Sequence, residues 1–436
     1  MLHQTYTNPK YEKIFQWGKL ISVAGSAQIV VQIIGLVSGI LIIRLLPTHE
    51  YGLYTIVNTL LGTMTVLADG GISAGVMAQG GKVWKDPDKL GQVLATGFLL
   101  RKRFAIASLA FAAPILIFLL QRHGAGWLHA VLILACLVPA FLAALSDSLL
   151  EIGPKLHQEI SALQKNQIWV NFLRLFFVLV LFVSPFAAVA IIAAGIPRLL
   201  GNFSLRKISG KFANWNQSPD PAIKNEILKG VKRILPGTIY YCVSGQITIW
   251  IISLFGSTNS IAQIGALSRL TVVLTIVTTL FNTLIQPRYS RLPSVKSLLI
   301  SKFRFILMLI VSFMMVLVGL VWLFPHLFLM ILGRGYEGLP KELVLSVIGS
   351  CLGLVAGMIY SLLTCRGWSM NPLFYIPVNI LSIVIAVIAF DKSTISGVMM
   401  ITIFTSAVQL LMILIYFLYM LLSIDKTSEG DEKFVY

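Results

Sequence analysis

Negative charge is scarce in this chain. Asp and Glu together number 17 in 436 residues, and all charged residues make up only 12%, against roughly a quarter in ordinary soluble proteins. So few charges cannot solvate a surface, which excludes a water-soluble globular fold. Cysteine is scarce as well: Cys136, Cys242, Cys351 and Cys365 form no C-x-x-C pair and have no histidine at ligand spacing. A zinc site and a disulfide framework are thereby excluded, and the four read as free thiols in packed helices. There is no G-x-x-x-x-G-K-[ST], no H-E-x-x-H and no nucleophile elbow, so neither ATP hydrolysis nor peptidase or esterase chemistry has a basis here. Residues 1–19 are polar and lack a small-residue cleavage site, so the first apolar run reads as an uncleaved anchor. We expect no enzyme and no bound cofactor.

Apolar residues, by contrast, make up 57% of the chain, with 25 Phe, 13 Met and 8 Trp and a mean hydropathy of +0.86. A bilayer-spanning helix needs about 20 consecutive apolar residues. Runs of that kind fall near 20–43, 51–79, 91–120, 127–150, 166–183, 186–203, 234–256, 261–287, 303–327, 341–364, 373–390 and 394–423. The pattern predicts an all-α polytopic membrane protein of about twelve transmembrane helices. Ser184-Pro185 is the turn signal that separates the fifth from the sixth; a single helix there would give eleven.

With 34 Lys+Arg the net charge is +17, a balance that position along the chain explains without nucleic acid. If the N-terminus is cytoplasmic, Arg44, Arg122, Arg334, Lys341 and Lys392 fall outside, Arg269 stays within a helix, and every other cation falls inside. The positive-inside rule then puts both termini in the cytoplasm, and the juxtamembrane cations face anionic membrane lipids. The basic stretch after the sixth span divides the chain. Residues 1–19 are a cytoplasmic segment, 20–203 an N-terminal six-helix lobe, 204–233 a cytoplasmic linker, 234–423 a C-terminal six-helix lobe and 424–436 a cytoplasmic tail.

The halves share a pattern. When Lys19-Leu20 is laid on Lys232-Arg233, the stripe Tyr51, Thr55, Asn58, Gly62, Thr65, Asp69, spaced by three and four along one helical face, falls on Ile264, Ser268, Thr271, Thr275, Thr278, Asn282. The first span adds Gly25, Gln28, Gln32, Gly35 and Gly39, and its counterpart is Thr238, Tyr241, Gly245, Thr248 and Ile252. Such faces serve helix packing, and Gly35-x-x-x-Gly39 is a close-approach motif. Unpaired amides at membrane depth cost several kcal/mol each, so we expect them to line a central water-filled cavity between the lobes.

Arg44-Leu45-Leu46-Pro47 running to Glu50-Tyr51-Gly52-Leu53-Tyr54, then Ala68-Asp69-Gly70-Gly71-Ile72, resembles the polysaccharide-biosynthesis, Wzx-type flippases of the MOP exporter superfamily. That family has an R-x-L run leading to Y-G-x-Y after the first helix and a D-x-G in the second. Gln286-Pro287-Arg288-Tyr289-Ser290-Arg291-Leu292 and Leu332-Gly333-Arg334-Gly335-Tyr336 are similar to two further pieces of it. The resemblance implies two six-helix lobes around a central cavity, as in MATE transporters, in a bacterial cytoplasmic (inner) membrane. By alternating access they would flip a lipid-linked oligosaccharide on a polyprenyl pyrophosphate carrier from the cytoplasmic to the outer leaflet. Polysaccharide polymerase and export proteins would be partners.

For that cargo, Arg174 and Arg269 are the candidates for the pyrophosphate, each about 12 Å inside a span, with snorkelling to the interface as the alternative. Arg174 shares a face with Gln167 and Asn171. Gln28, Gln32, Asn58, Tyr241 and Asn282 are the sugar candidates. Asp69, before Gly70-Gly71, reads either as a coupling or gating carboxylate, responding to a proton or sodium gradient, or as half of a structural pair with an arginine of a neighbouring helix. Asp147 and Glu151 read as interfacial salt-bridge partners, and His49, His123, His129 and His326 as isolated. The alternatives to a flippase are a MATE-like multidrug antiporter, whose cavity should be acidic, and a membrane glycan polymerase or ligase, which usually displays a large outer loop.

Overall fold

The computed structural model describes residues 29–271, 273–286, 289, 292–293, 295–366, 368 and 370–431; Gln28 and the side chain of Tyr241 lie outside what is described. Among the described residues seventeen α-helices follow one another. The N-terminal lobe comprises α1 (Ile29–Leu45), α2 (Thr48–Asp69), α3 (Ile72–Val83), α4 (Pro87–Arg122), α5 (Trp127–Leu150), α6 (Ile152–Leu156), α7 (Ile160–Val178) and α8 (Ala187–Ser209). The C-terminal lobe comprises α9 (Pro221–Ser244), α10 (Ile247–Phe255), α11 (Thr258–Thr271), α12 (Val273–Leu280), α13 (Lys296–Leu323), α14 (Pro325–Leu332), α15 (Pro340–Thr364), α16 (Pro372–Ala389) and α17 (Ile395–Asp431). Among the described residues ten helices are long and apolar enough to cross a bilayer, and large apolar side chains such as Phe111, Leu128, Phe176, Val183, Trp322 and Leu373 point outward. This is a multi-pass membrane protein.

Local chemistry sets the breaks. The Ser184-Pro185 signal does separate two helices, because α7 ends in a short 3-10 turn at Leu179–Phe182 and α8 begins at Ala187, where the Glu50 carboxylate accepts a hydrogen bond from the Ala187 N–H at 2.7 Å. The second span is not one helix to residue 79. Gly70 and Gly71 take φ of 49° and 93°, a left-handed conformation that glycine alone adopts cheaply, and the chain turns there from α2 into α3. α4 starts where Asp86 accepts from the N–H groups of Asp88 and Lys89, both at 3.1 Å, an N-cap in front of Pro87. The Lys89 N–H, with that of Asp88, holds the Asp86 carboxyl below the ordinary aspartate range.

The connection between the lobes is more helical than 204–233 suggests. α8 runs on to Ser209 and α9 starts at Pro221. The first half of α9 packs on the N-terminal lobe, with Ile227 and Val231 in a core shared with Ile72, Val76 and Leu94; its second half reaches the C-terminal lobe, where Tyr240 meets Tyr375. α9 is therefore the strap joining the two.

Candidate functional site

The lobes meet closely at one end. Arg44 donates to the carbonyls of Ile331 and Met330 at 2.9 and 2.8 Å, satisfying C-terminal groups of α14 that have no partner in their own helix. Arg122 donates to the Leu254 carbonyl at 2.7 Å, and buried His123 bridges the Ser253 carbonyl at 2.8 Å and the Thr258 hydroxyl at 3.1 Å. Glycine permits the approach. A Cβ on Gly52 would lie 2.7 Å from the Thr258 carbonyl oxygen, and one on Gly265 would lie 2.5 Å from Thr55 Oγ1. The motif pieces around Arg44, Gly52 and Gly333 thus converge on one seam. Three of the four histidines expected to be isolated gather there as well: His49 Nε2 lies 2.9 Å from the His123 carbonyl, and both His49 and His129 flank Glu50. No cluster of metal-ligand character exists among the described residues.

Behind the seam, a cavity of about 550 Å³ lies between the lobes, lined by Tyr51, Thr55, Asn58, Thr65, Arg198, Gln246, Ser268 and Arg269. The polar face of α2 lines it from Tyr51 to Thr65, whereas of the matching C-terminal stripe only Ser268 does. Arg269 lines this cavity. Its Cδ would lie 3.3 Å from a Cβ on Gly39, so that glycine seats the arginine stem rather than a neighbouring helix. The guanidinium faces the phenol oxygens of Tyr51 and Tyr54; the Tyr54 hydroxyl itself has no hydrogen-bond partner of good geometry. Among the described residues no carboxylate pairs with Arg269.

A second cavity of about 340 Å³ lies inside the N-terminal lobe and shares Asn58, Leu61 and Arg198 with the first. Gln167, Asn171 and Arg174 line it together, as their common helical face requires, and Arg174 Nε is buried there without a hydrogen bond. Asp147 and Glu151 line it too. Asp147 accepts from Arg198 Nε and Asn202 Nδ2, both at 2.9 Å, and Glu151 accepts from Lys155 at 2.6 Å. Both acids are paired, as expected, but at a cavity wall rather than only at the interface.

Arg198 is the residue that sequence reasoning missed. Its position near the end of an apolar run reads only as one more cytoplasmic cation, whereas α8 extends beyond it and places it in both cavities. The available signal was Asn202 one turn on, a polar partner on the same face. Asp69 lines neither cavity; it is ion-paired with Arg101 of α4 and accepts from Ser73 Oγ at 2.6 Å. Asn282 accepts from Ser361 Oγ at 3.1 Å, and Gln32 is half-buried on α1.

No family profile and no curated protein matches the sequence. Solved structures do. An inward-facing multidrug resistance MATE family transporter of the MOP superfamily superposes with a TM-score of 0.72 at 13% identity, over 91% of this chain and 96% of that one. The lipid II flippase MurJ in an inward closed conformation gives 0.72 at 14%, over 92% and 90%. A MOP superfamily transporter from Pyrococcus furiosus, described as having a binding pocket of reverse polarity, gives 0.61 at 14%, over 93% and 95%. The fold is that of the MOP transporters.

Proposed function

We propose that the chain is a Wzx-type flippase, which carries a lipid-linked oligosaccharide on a polyprenyl pyrophosphate from the cytoplasmic to the outer leaflet of a bacterial inner membrane. The observation that carries this reading is Arg269, seated by Gly39 in the cavity between the lobes without a carboxylate partner. A desolvated guanidinium of this kind needs an anion, and a pyrophosphate supplies one with bidentate geometry. In the N-terminal lobe Arg174 adds a guanidinium whose Nε has no hydrogen bond, and Arg198 stands beside it, shared with Asp147. A multidrug antiporter for cations would need the opposite sign here, and the two carboxylates at the cavity already have basic partners.

In the orientation that the charge bias of the loops favours, the closed seam would lie on the outer side and the cavity would be reached from the cytoplasm. In that state Arg269 and Arg198 receive the pyrophosphate, the amides and hydroxyls of α2 and α11 contact the first sugar, and the prenyl chain stays in lipid. Release of the seam and rocking of one lobe against the other would expose the cavity outward. Energy coupling to a proton or sodium gradient fits Asp147 better than Asp69, because Asp147 faces the cavity while Arg101 holds Asp69 away from it. Polysaccharide polymerase and export proteins would then take up the product.

The test is to delete the gene and follow the lipid-linked saccharide pool and the surface polysaccharide. Accumulated precursor with lost polysaccharide, reversed by the wild-type chain but not by Arg269→Ala, is expected. Normal polysaccharide without precursor, together with new drug sensitivity, would favour the multidrug reading.

A further inference from the structure

A third cavity, of about 400 Å³, lies within the C-terminal lobe between α9, α10, α15, α16 and α17, and among the described residues no Asp, Glu, His, Lys or Arg lines it. Its wall is made of hydroxyls, amides and phenols. Tyr240 and Tyr375 meet edge to face at 5.8 Å, and nearly buried Asn379 donates to the Tyr375 carbonyl at 2.7 Å. Ser350, Ser406 and Gln409 face the same space and have no hydrogen-bond partner among the described residues. The opposite wall is left open by glycines one turn apart on α15. A Cβ on Gly357 would touch nothing within 4 Å, and one on Gly353 would meet only Ser406 Oγ, at 3.7 Å.

Three unpaired polar side chains at membrane depth demand a polar occupant, because hydrocarbon would leave each unsatisfied at a cost of a few kcal/mol. The absence of any charged group removes a driving force for cations and for phosphate. Aromatic faces beside hydroxyl and amide groups match a neutral sugar, whose C–H faces pack on rings while its hydroxyls both donate and accept. The volume falls within the range of small-molecule sites, about 300–1,000 Å³. We propose that this C-terminal cavity is a subsite for an uncharged saccharide unit of the cargo, distinct from the arginine-lined cavities that take the pyrophosphate. This inference rests on the flippase reading and assigns the two chemical ends of its substrate to different lobes.

The experiment uses the full chain in nanodiscs with three probes: polyprenyl pyrophosphate carrying N-acetylglucosamine, polyprenyl pyrophosphate alone, and free chitobiose. Gln409→Leu and Gly357→Leu, the first removing an amide and the second filling the space, should each weaken binding of the glycosylated lipid about tenfold, a change of about 1.4 kcal/mol, and leave the bare carrier unaffected. Unchanged affinity for the glycosylated lipid, or equal loss for both lipids, would overturn the assignment. If the wild-type chain binds neither lipid, the flippase reading fails on its own. The subsite is then decided by chitobiose protection of a thiol introduced as Ser406→Cys: protection upholds it and unhindered labelling ends it.

Discussion

The two lobes enclose cavities of similar size and opposite chemistry. The N-terminal one, about 340 Å³, is walled by Arg174, Arg198, Asp147 and Glu151; the C-terminal one, about 400 Å³, has hydroxyls, amides and phenols and no charge. Burying charge is costly, and the four charged side chains on one cavity wall, against none on the other, are the main chemical difference between the lobes. The repeated architecture therefore does not repeat the chemistry. Arg269 stands between these two environments, on α11 of the neutral lobe but reaching toward Gly39 and the tyrosines of the charged one.

The sharpest way to break this comparison is to remove the charge that joins the lobes. Arg269→Ala should abolish transport, with precursor accumulating to the level of the deletion strain, while Arg269→Lys, which keeps charge but not the bidentate fork, should retain a fraction of it. Gly39→Leu should reproduce the Ala phenotype by occupying the seat of the arginine stem. Gly35→Leu, one turn away where an added Cβ meets nothing within 4 Å, should not. Equal effects of the two glycine variants would separate Gly39 from Arg269.

Asp69 offers a second contrast, between a carboxylate used for folding and one at a cavity. Its partner Arg101 is only 3% exposed and also donates to Ser73 and to the Leu145 carbonyl. Asp69→Ala leaves that buried guanidinium uncompensated, an error that typically costs about 3–5 kcal/mol. Thermal stability in detergent and expression should fall sharply and recover in part with the added change Arg101→Leu. Normal expression with lost coupling would return Asp69 to the mechanism. Asp147→Asn should behave differently, since Arg198 remains partly exposed. The chain should fold, transport should slow several-fold, and stimulation by an imposed proton or sodium gradient should disappear. A retained gradient response would exclude Asp147 from coupling.

Much of this division was legible beforehand, for physical reasons. The helical passes follow from runs of apolar residues that only a bilayer tolerates, and the α2 wall of the cavity between the lobes follows from polar positions repeating at helical spacing, whereas only Ser268 of the matching stripe reaches it. Gln167, Asn171 and Arg174 came together because one helix face carries all three. Arg198 was hidden because a cation at the end of an apolar run looks like an orientation signal until the helix is seen to continue past it. The histidine cluster was hidden for another reason: His49, His123 and Thr258 lie on three segments, and only tertiary packing joins them. The neutral C-terminal cavity combines residues from five helices, none unusual in its own segment.

The smallest expected effect concerns the seam. Gly265 lies so close to Thr55 that a Cβ would sit 2.5 Å from Oγ1 and 2.7 Å from Cγ2, and neither atom can yield without moving α2 or α11. Gly265→Ala should therefore destabilise the closed seam without touching any cavity charge. Thr55→Ala removes both offending atoms and should restore the closed population. Spin labels at Gly126→Cys and Ser257→Cys, one on each lobe beside the seam, in a background lacking the native cysteines, should report a longer distance in the single variant and the original one in the double variant. Because the arginine wall is unchanged, carrier affinity in the cytoplasm-open state should hold while turnover shifts about two- to threefold, a change of well under 1 kcal/mol. A loss of affinity equal to that of Arg269→Ala would mean that seam and binding wall are one element, and the distinction between the lobes would then lie in how they pack rather than in what they bind.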